Sequence, residues 1–322
     1  MISIRKILCP VDLSKGSFLA LKFANAISGR YRASLVIIHI MENPHLDIPG
    51  GETGAFSFGE LVNLYKEERQ EEIIDVLKQK GTHAVDYEII FKEGVPYKEI
   101  TDTARNIKAD MIIMSSSTSE KSEKIAGVTT ERTVRFAPCP VLSIKTDHDQ
   151  EKREKMEKVG DLMDTSPNAK RTILLPTDFS EHSELASNYA IAFAKEYKAD
   201  LIVLHVIETI AEVSFMSSVD LPGYGTTSIY YDGLLKDAQA RVKNICDKAI
   251  EQGIKAREYI IYGNPRREII DIADKESADL IIMGTHGRKG FSRFISGSVT
   301  EAVVRNAQCS VLSVRHPEHN FV

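Results

Sequence analysis

Leu280-Ile281-Ile282-Met283-Gly284-Thr285-His286-Gly287 is followed, after nine residues, by Gly297-Ser298-Val299-Thr300. The apolar run at the start predicts a buried strand, and the two glycines predict a turn with little side-chain bulk. The glycine-serine pair then predicts the start of a helix. A strand, a glycine turn and a helix N-terminus in this order bring backbone N–H groups and partial positive charge to a phosphate. The stretch therefore predicts an α/β fold with a phosphate site at the end of a strand.

The chain contains two copies of one sequence pattern. Residues 5–42 align with residues 171–208 at a shift of 166, and residues 109–114 align with 278–283 at a shift of 169. The shift changes only at loops, as expected of a duplicated domain. A shared Pro-x-Asp-x-Ser element is formed by Pro10, Asp12 and Ser14 in the first copy and by Pro176, Asp178 and Ser180 in the second.

A charged stretch between the copies marks the domain boundary. It begins at Asp147 and ends with the Ser166-Pro167 pair, and this composition is typical of a linker. We predict a first domain over residues 1–146, a linker over 147–170, a second domain over 171–316 and a tail over 317–322.

Each copy alternates short apolar runs with helical patterns. In the second copy the predicted strands cover residues 172–176, 201–206, 256–262, 280–283 and 311–315, and the predicted helices cover 183–197, 234–252, 265–276 and 299–306. Nearly continuous apolar runs are typical of parallel strands that are buried on both faces. The pattern predicts an α/β fold with two tandem doubly wound domains, each an open five-stranded parallel sheet with helices on both faces. Ligands of such sheets bind at the carboxyl ends of the strands, where the strand order reverses.

Composition limits the classes of partner. The chain has 322 residues and a net charge of -5, so it lacks the basic excess that favours nucleic acid or an anionic membrane surface. The apolar runs are strand-sized, and the N-terminus lacks a signal-peptide pattern. We therefore expect a cytoplasmic protein with no nucleic-acid partner and no membrane partner. Cys9, Cys139, Cys246 and Cys309 form no C-x-x-C pair, which favours reduced buried thiols over a metal or disulfide framework.

Three segments of the second copy should meet at the carboxyl edge of its sheet. They are the turn at 284–287, the helix start at 297–298 and the loop at 176–180. Glycines in the turn permit positive φ and a close approach of backbone N–H groups to phosphate oxygens. Ser298 offers a hydroxyl, and Asp178 could position a Mg²⁺ ion that bridges phosphates.

Interpretations without a ligand exist for the same residues. Residues 298–301 have the sequence of a capping box, which stabilises a helix by itself. Asp178 could cap the helix that follows it, and His205 could be a hydrogen-bonded core histidine. His286 lies between two glycines and is expected in solvent. Phosphate binding is favoured by the glycine spacing combined with a strand before it and a helix after it.

These features resemble the universal stress protein family in its tandem two-domain form. The resemblance covers nearly the whole chain apart from the linker and the last few residues. The family's G-x2-G-x9-G-S/T motif is matched by Gly284, Gly287, Gly297 and Ser298, and residues 176–180 match the opening loop of the family.

The resemblance implies a site for an adenine nucleotide: ATP, ADP or AMP, with Mg²⁺ held through the phosphates and Asp178. Val206 would contact adenine through its backbone, and the glycine motif would hold the ribose and phosphates. The full set of binding residues that the resemblance implies is Pro176, Thr177, Asp178, Val206, Met283, Gly284, His286, Gly287, Arg288, Gly297, Ser298, Val299 and Thr300.

The first copy departs from the family motif. Ser115-Ser116-Ser117-Thr118 stands where the second copy has Gly284-Thr285-His286-Gly287, and Val128 replaces Ser298. A non-glycine residue in left-handed geometry costs about 1–2 kcal/mol, and the added side chains remove clearance. We therefore predict one nucleotide site per chain, in the C-terminal domain.

The resemblance implies an ATP-binding protein of the stress response that acts as a sensor or regulatory module. No residue set supplies an evident water-activating base, so no catalytic residue is assigned and slow ATP hydrolysis is left open. Two other functions stay open: an interaction scaffold without a nucleotide, and a nucleotide-dependent transferase or ligase on a related fold. The loop at 176–180 lacks the second glycine-rich turn that is typical of such enzymes.

The resemblance also implies assembly. The final strands, 141–144 and 311–314, are apolar and lie at the sheet edge in this family. The two domains are therefore expected to pair as a pseudo-dimer within one chain. Further homodimerisation is expected, together with a protein partner that the sequence does not identify.

Overall fold

The computed structural model describes residues 2–42, 57–78, 86–116, 126–145, 171–208, 225–285 and 298–315. Among these, residues 3–145 and residues 171–315 belong to two compact units. Each unit corresponds to one copy of the sequence pattern.

The first unit alternates strands and helices. Its elements are β1 (Lys6–Pro10), α1 (Lys15–Tyr31), β2 (Ser34–Met41), α2 (Phe58–Leu77), β3 (Tyr87–Glu93), α3 (Pro96–Ile107), β4 (Met111–Ser115), α4 (Ala126–Phe136) and β5 (Val141–Ile144). The second unit repeats this order with β6 (Thr172–Pro176), α5 (Glu181–Tyr197), β7 (Asp200–Glu208), α6 (Gly225–Ile250), β8 (Ala256–Gly263), α7 (Pro265–Lys275), β9 (Leu280–Gly284), α8 (Ser298–Asn306) and β10 (Ser310–Val314).

The sheets confirm the predicted fold class. The strand order is β3-β2-β1-β4-β5 in the first unit and β8-β7-β6-β9-β10 in the second, and neighbouring strands within each unit are parallel. All five residues of β6 and of β10 are buried, because a parallel sheet covered on both faces needs apolar side chains on both sides. The order reverses between β1 and β4 and between β6 and β9. Sheets of this class bind their ligands where such a pair of strands ends, and in the second unit the predicted site residues lie at the ends of β6 and β9.

The long helix of the second unit begins earlier than predicted. The sequence pattern places its start at residue 234, whereas α6 begins at Gly225. The residues before 234 include glycine, threonine and serine, which are weak helix formers and hide the first turns from a pattern search. Once the strongly helical segment after them is formed, adding turns to it is easier than starting a new helix.

The four cysteines are described as free thiols. Cys9, Cys139 and Cys246 are buried, as predicted, whereas Cys309 is half-buried. Burial raises the pKa of the Cys246 thiol to about 12, with the charges of Glu258 and Asp247 adding to the shift. Burial also raises the pKa of the Cys9 thiol well above its usual range. Both groups are therefore protonated and unreactive at neutral pH.

The C-terminal end of α5 offers a direct test of backbone strain. Lys198 follows the last turn in the left-handed region, at φ +52°, where glycine is relaxed and a side chain costs about 1 kcal/mol. Lys198→Gly should therefore raise the free energy of unfolding by about 1 kcal/mol. The matched control is Lys195→Gly inside the same helix, which should lower it by about as much. A chemical denaturation curve measures both changes, and a loss of stability in both variants would contradict the assignment.

Candidate functional site

The loop after β6 is tied to β7 through Thr177. The Thr177 N–H donates to the Leu204 carbonyl at 2.8 Å, and its own carbonyl accepts from His205 Nδ1 at 2.7 Å. Because a carbonyl only accepts, Nδ1 carries the proton of the imidazole. The Thr177 hydroxyl accepts from the Phe179 N–H at 3.1 Å. These bonds fix the position of the loop at the switch point.

Asp178 supports the N-cap of α5. Its Oδ1 accepts from the Ser180 N–H at 3.1 Å and from the Ser180 hydroxyl at 2.7 Å. Ser180 in turn accepts from the Ser183 N–H at 3.3 Å and is the N-cap residue. Asp12 and Ser14 make the same pair of bonds in the first domain, at 3.0 and 2.5 Å. The aspartate is therefore present in both domains for a reason that needs no ligand, although Asp178 remains half-exposed.

Phe179 is held in a strained and ordered position. Its φ is +62°, in the left-handed region that bulky residues avoid. Its ring stacks on the His205 imidazole, with the centroids 4.4 Å apart and the planes at 28°. Leu13 has the matching φ of +64° in the first domain. The role of Phe179 could not be predicted from the sequence, since a phenylalanine between two polar residues carries no signal for a positive φ.

Gly284 is required by packing rather than by a special φ. A Cβ on Gly284 would lie 2.8 Å from the carbonyl carbon of His182 and 3.0 Å from its Cβ, distances that leave no room for a side chain. Neither Gly284 nor Ser115 has a positive φ. The prediction that a side chain at this position would be strained by a left-handed backbone is therefore wrong. The first domain has its glycine at the other of these two positions. Ser115 aligns with Gly284, whereas the buried Gly16 aligns with His182.

Thr300 joins the start of α8 to the end of β9. Its hydroxyl donates to the Gly284 carbonyl at 2.9 Å, and only 2% of the residue is exposed. Thr130 makes the same bond to the Ser115 carbonyl at 3.0 Å in the first domain. Thr300 therefore positions the helix, and its side chain is not available to a ligand.

The remaining residues of the predicted site divide into two groups. Pro176 and Met283 are buried at the ends of β6 and β9, while Val206 and Val299 are half-exposed. α8 begins at Ser298, so Ser298 lies in the helix rather than before it as a cap. His286, Gly287, Arg288 and Gly297 lie outside the described residues. The pairing of β6 with β9 and the bond from α8 to Gly284 bring the described members to one edge of the sheet.

The described residues contain no group of three or more His, Cys, Asp or Glu side chains arranged to hold a metal ion. Asp178 is one carboxylate, and Mg²⁺ takes six oxygen ligands. The site therefore fits a cation that arrives with phosphates and water as its other ligands. Within the described ranges, no helix combines the length and apolar character needed to cross a membrane.

The comparison with known families decides the identity of the fold. The model of the universal stress protein family matches residues 3–145 and again residues 170–315. The chain belongs to this family. Universal stress protein MJ0531 of Methanocaldococcus jannaschii is 36% identical over 151 residues, which cover 47% of this chain and 85% of that protein. Universal stress protein MJ0577 of the same organism is 33% identical over 154 residues, with 45% and 94% covered.

The fold also has a solved counterpart. The crystal structure of a universal stress protein from Archaeoglobus fulgidus superposes with a TM-score of 0.63 over 97% of both chains, at 20% identity. This similarity shows a shared fold. The two matches of the family model, and not this superposition, make the chain a tandem pair of universal stress protein domains.

The two family domains differ around the histidine at the end of their second strand. His39 is 4% exposed and is bonded through Nδ1 to the Val11 carbonyl at 2.7 Å and through Nε2 to the Tyr65 hydroxyl at 3.1 Å. His205 keeps the carbonyl bond, as expected of a hydrogen-bonded histidine, but it is half-exposed where His39 is buried. The C-terminal domain thus leaves its strand-end histidine accessible beside Phe179.

Proposed function

We propose that this universal stress protein binds one adenine nucleotide, in its C-terminal domain, and acts as a regulatory module whose state depends on the bound nucleotide. The proposal is supported by the G-x2-G-x9-G-S motif at 284–298. The motif begins where β9 ends and finishes where α8 begins, at the strand pair where the order reverses. A helix N-terminus in that place favours an anionic ligand.

The roles of the individual residues follow from their positions. Val206, half-exposed near the end of β7, would contact the base through its backbone, beside the loop that holds Thr177 and Asp178. The glycine motif and the start of α8 would hold the phosphates, with Ser298 and His286 among the contacts. Mg²⁺ would neutralise charge between the phosphates and Asp178. Gly284 and Thr300 would support the site without contacting the ligand through a side chain. Gly284 lets α5 pack closely on β9, and the Thr300 hydroxyl joins α8 to the Gly284 carbonyl.

An interaction scaffold is the second candidate function, because one observation favours it. Asp178, Gly284 and Thr300 each have a structural role that requires no ligand, and two of these roles recur in the first domain. The phosphate assignment therefore depends on the residues that differ between the domains. The intrachain pairing of the domains, homodimerisation and a cytoplasmic location stay predictions.

Calorimetric titration of the full chain separates these functions. We expect ATP, ADP or AMP to bind with a stoichiometry near one per chain, because the motif is intact in one domain only. A stoichiometry near two would contradict the assignment of the first domain. No heat and no thermal shift with saturating nucleotide would favour the scaffold. Repeating the titration with EDTA in place of Mg²⁺ shows whether the cation contributes to affinity.

A further inference from the structure

Phe179 provides a fixed aromatic surface at the edge of the proposed nucleotide site. It directly follows Asp178, its N–H is bonded to the Thr177 hydroxyl at 3.1 Å, and its ring stacks on His205 at 4.4 Å. A residue with these two restraints, in a backbone conformation that costs free energy, is held in one orientation. A side chain that packs on this ring is therefore also held in a defined position.

Arg241 from α6 rests on that ring. Its guanidinium carbon lies 4.7 Å from the Phe179 ring centroid, although the residue itself is exposed. Stacking on an aromatic ring leaves the N–H groups in the plane of the guanidinium directed outward. The Phe179 ring thus orients the arginine without using its hydrogen-bond donors.

The charge of Arg241 is not neutralised by a carboxylate among the described residues. Two other arginines of the same domain do form ion pairs: Arg257 with Glu276 at 3.0 Å and Arg267 with Asp271 at 3.2 Å. Arg241 makes no such pair with a described side chain. Its donors therefore remain for an anionic ligand.

The first domain has a related stack, in which Arg69 lies 5.0 Å from the centre of the Tyr65 ring beside His39, but there the arginine is paired with Glu68 and Glu72. The positions equivalent to Phe179 and Arg241 also differ. Helices α2 and α6 align at a shift of 173. This shift places their last residues, Leu77 and Ile250, at the same position. It also aligns their buried residues, Ile73 with Cys246 and Val76 with Ala249. In this alignment Glu68 takes the place of Arg241, and Leu13 takes the place of Phe179. The domain without the glycine motif therefore carries an opposite charge and no aromatic ring at these positions.

We infer that Arg241 binds a phosphate group of the nucleotide and so makes the site specific for phosphorylated ligands. The inference rests on the proposed function, since it concerns the same site. A planar guanidinium can donate two parallel hydrogen bonds to phosphate oxygens, which gives both affinity and orientation. The bound phosphate would lie between Arg241, the loop at Asp178 and the start of α8.

The test compares ATP, AMP and adenosine on three forms of the full chain. With Arg241→Gln we expect ATP to bind about tenfold more weakly, which corresponds to the loss of one charge-assisted contact, while adenosine binds as to the wild type. Arg241→Lys should recover part of the ATP affinity, because it keeps the charge and loses the planar fork. Arg267→Gln is the matched control, an exposed arginine on α7 whose removal should change no affinity.

Two outcomes overturn the inference while the proposed function stands. One is ATP binding by Arg241→Gln within twofold of the wild type. The other is an equal loss for ATP and adenosine, which would mean that Arg241 acts only through the position of Phe179. If the wild type binds no nucleotide at all, the proposed function fails first and this inference fails with it. Thermal unfolding of Arg241→Gln should match the wild type, since the side chain is exposed.

Discussion

Replacing Gly284 with serine should destabilise the C-terminal domain by at least about 2 kcal/mol, the cost of overpacking a filled site. The expected Cβ position lies 2.8 Å from the backbone of His182, and a backbone atom cannot rotate away as a side chain can. Either α5 moves away from the end of β9 or β9 shifts in the sheet. Both changes also disturb the Thr300 bond to the Gly284 carbonyl, so the start of α8 should loosen as well.

The effect can be measured and controlled within the same domain. Because the two domains need not unfold together, hydrogen exchange followed by mass spectrometry should locate the loss of protection in peptides from β9 and α5. Gly233→Ala is the matched control, since a Cβ there meets nothing within 4 Å and alanine should stabilise the exposed helix by about 0.5–1 kcal/mol.

A double variant tests whether the side chains at positions 182 and 284 compete for the same space. His182→Gly together with Gly284→Ser recreates the Gly16 and Ser115 combination of that domain. The double variant should recover part of the lost stability, because the 3.0 Å contact with the His182 Cβ disappears. Strict additivity of the two single changes would show that the two positions do not compete for space.

The fold could be predicted because its determinants are local and repeated. Apolar runs such as residues 280–283 indicate buried strands whatever surrounds them, and the second copy confirms each element of the first. The parallel sheet and its carboxyl edge follow from the alternation of strands and helices, whereas the order of the strands is known only from the structure. The start of α6 at Gly225 was missed, since weak helix formers are recruited by the segment after them and leave no pattern of their own.

The site was less predictable, because its contacts join residues that are distant in the chain. A pattern search identifies Gly284 as a motif residue, but its cause is the approach of His182, which only the packing of α5 on β9 reveals. The stack of Arg241, Phe179 and His205 joins a helix, a loop and a strand. None of its members has a local signal, although the change of Arg241 to Glu68 in the other copy is visible once the helices are aligned.

Comparing the two domains also shows which motif residues can indicate nucleotide binding. The bonds of Asp178 to Ser180 and of Thr300 to Gly284 recur at Asp12 and Thr130. Features that both domains share are therefore explained by the fold. The proposed nucleotide binding therefore depends on the motif residues that only the C-terminal domain has, which are Gly284, Gly287 and Ser298. Gly284 is already explained by its packing on His182, so Gly287 is the sharper position to test.

Gly287→Val should abolish ATP binding and leave the fold intact, with the dissociation constant raised at least about 100-fold. The motif predicts that backbone N–H groups approach the phosphates at this glycine, and a β-branched side chain both fills that space and disfavours a positive φ. ATP at about 100 times its Kd should stabilise the wild type by about 2.7 kcal/mol. The variant should show no such gain, while its circular dichroism and its unfolding without ligand match the wild type.

Thr118→Val is the matched control, because Thr118 aligns with Gly287 in the first domain. It introduces the same residue at the same place in a domain that lacks the glycine motif, so the ATP-dependent stabilisation should be unchanged. If Thr118→Val removed the stabilisation and Gly287→Val did not, the nucleotide would bind in the first domain. If neither variant changed it, the ligand would not contact this turn in either domain, and the phosphate assignment of the motif would be wrong. A single site in the C-terminal domain predicts that Gly287→Val removes the ATP-dependent stabilisation and that Thr118→Val leaves it unchanged.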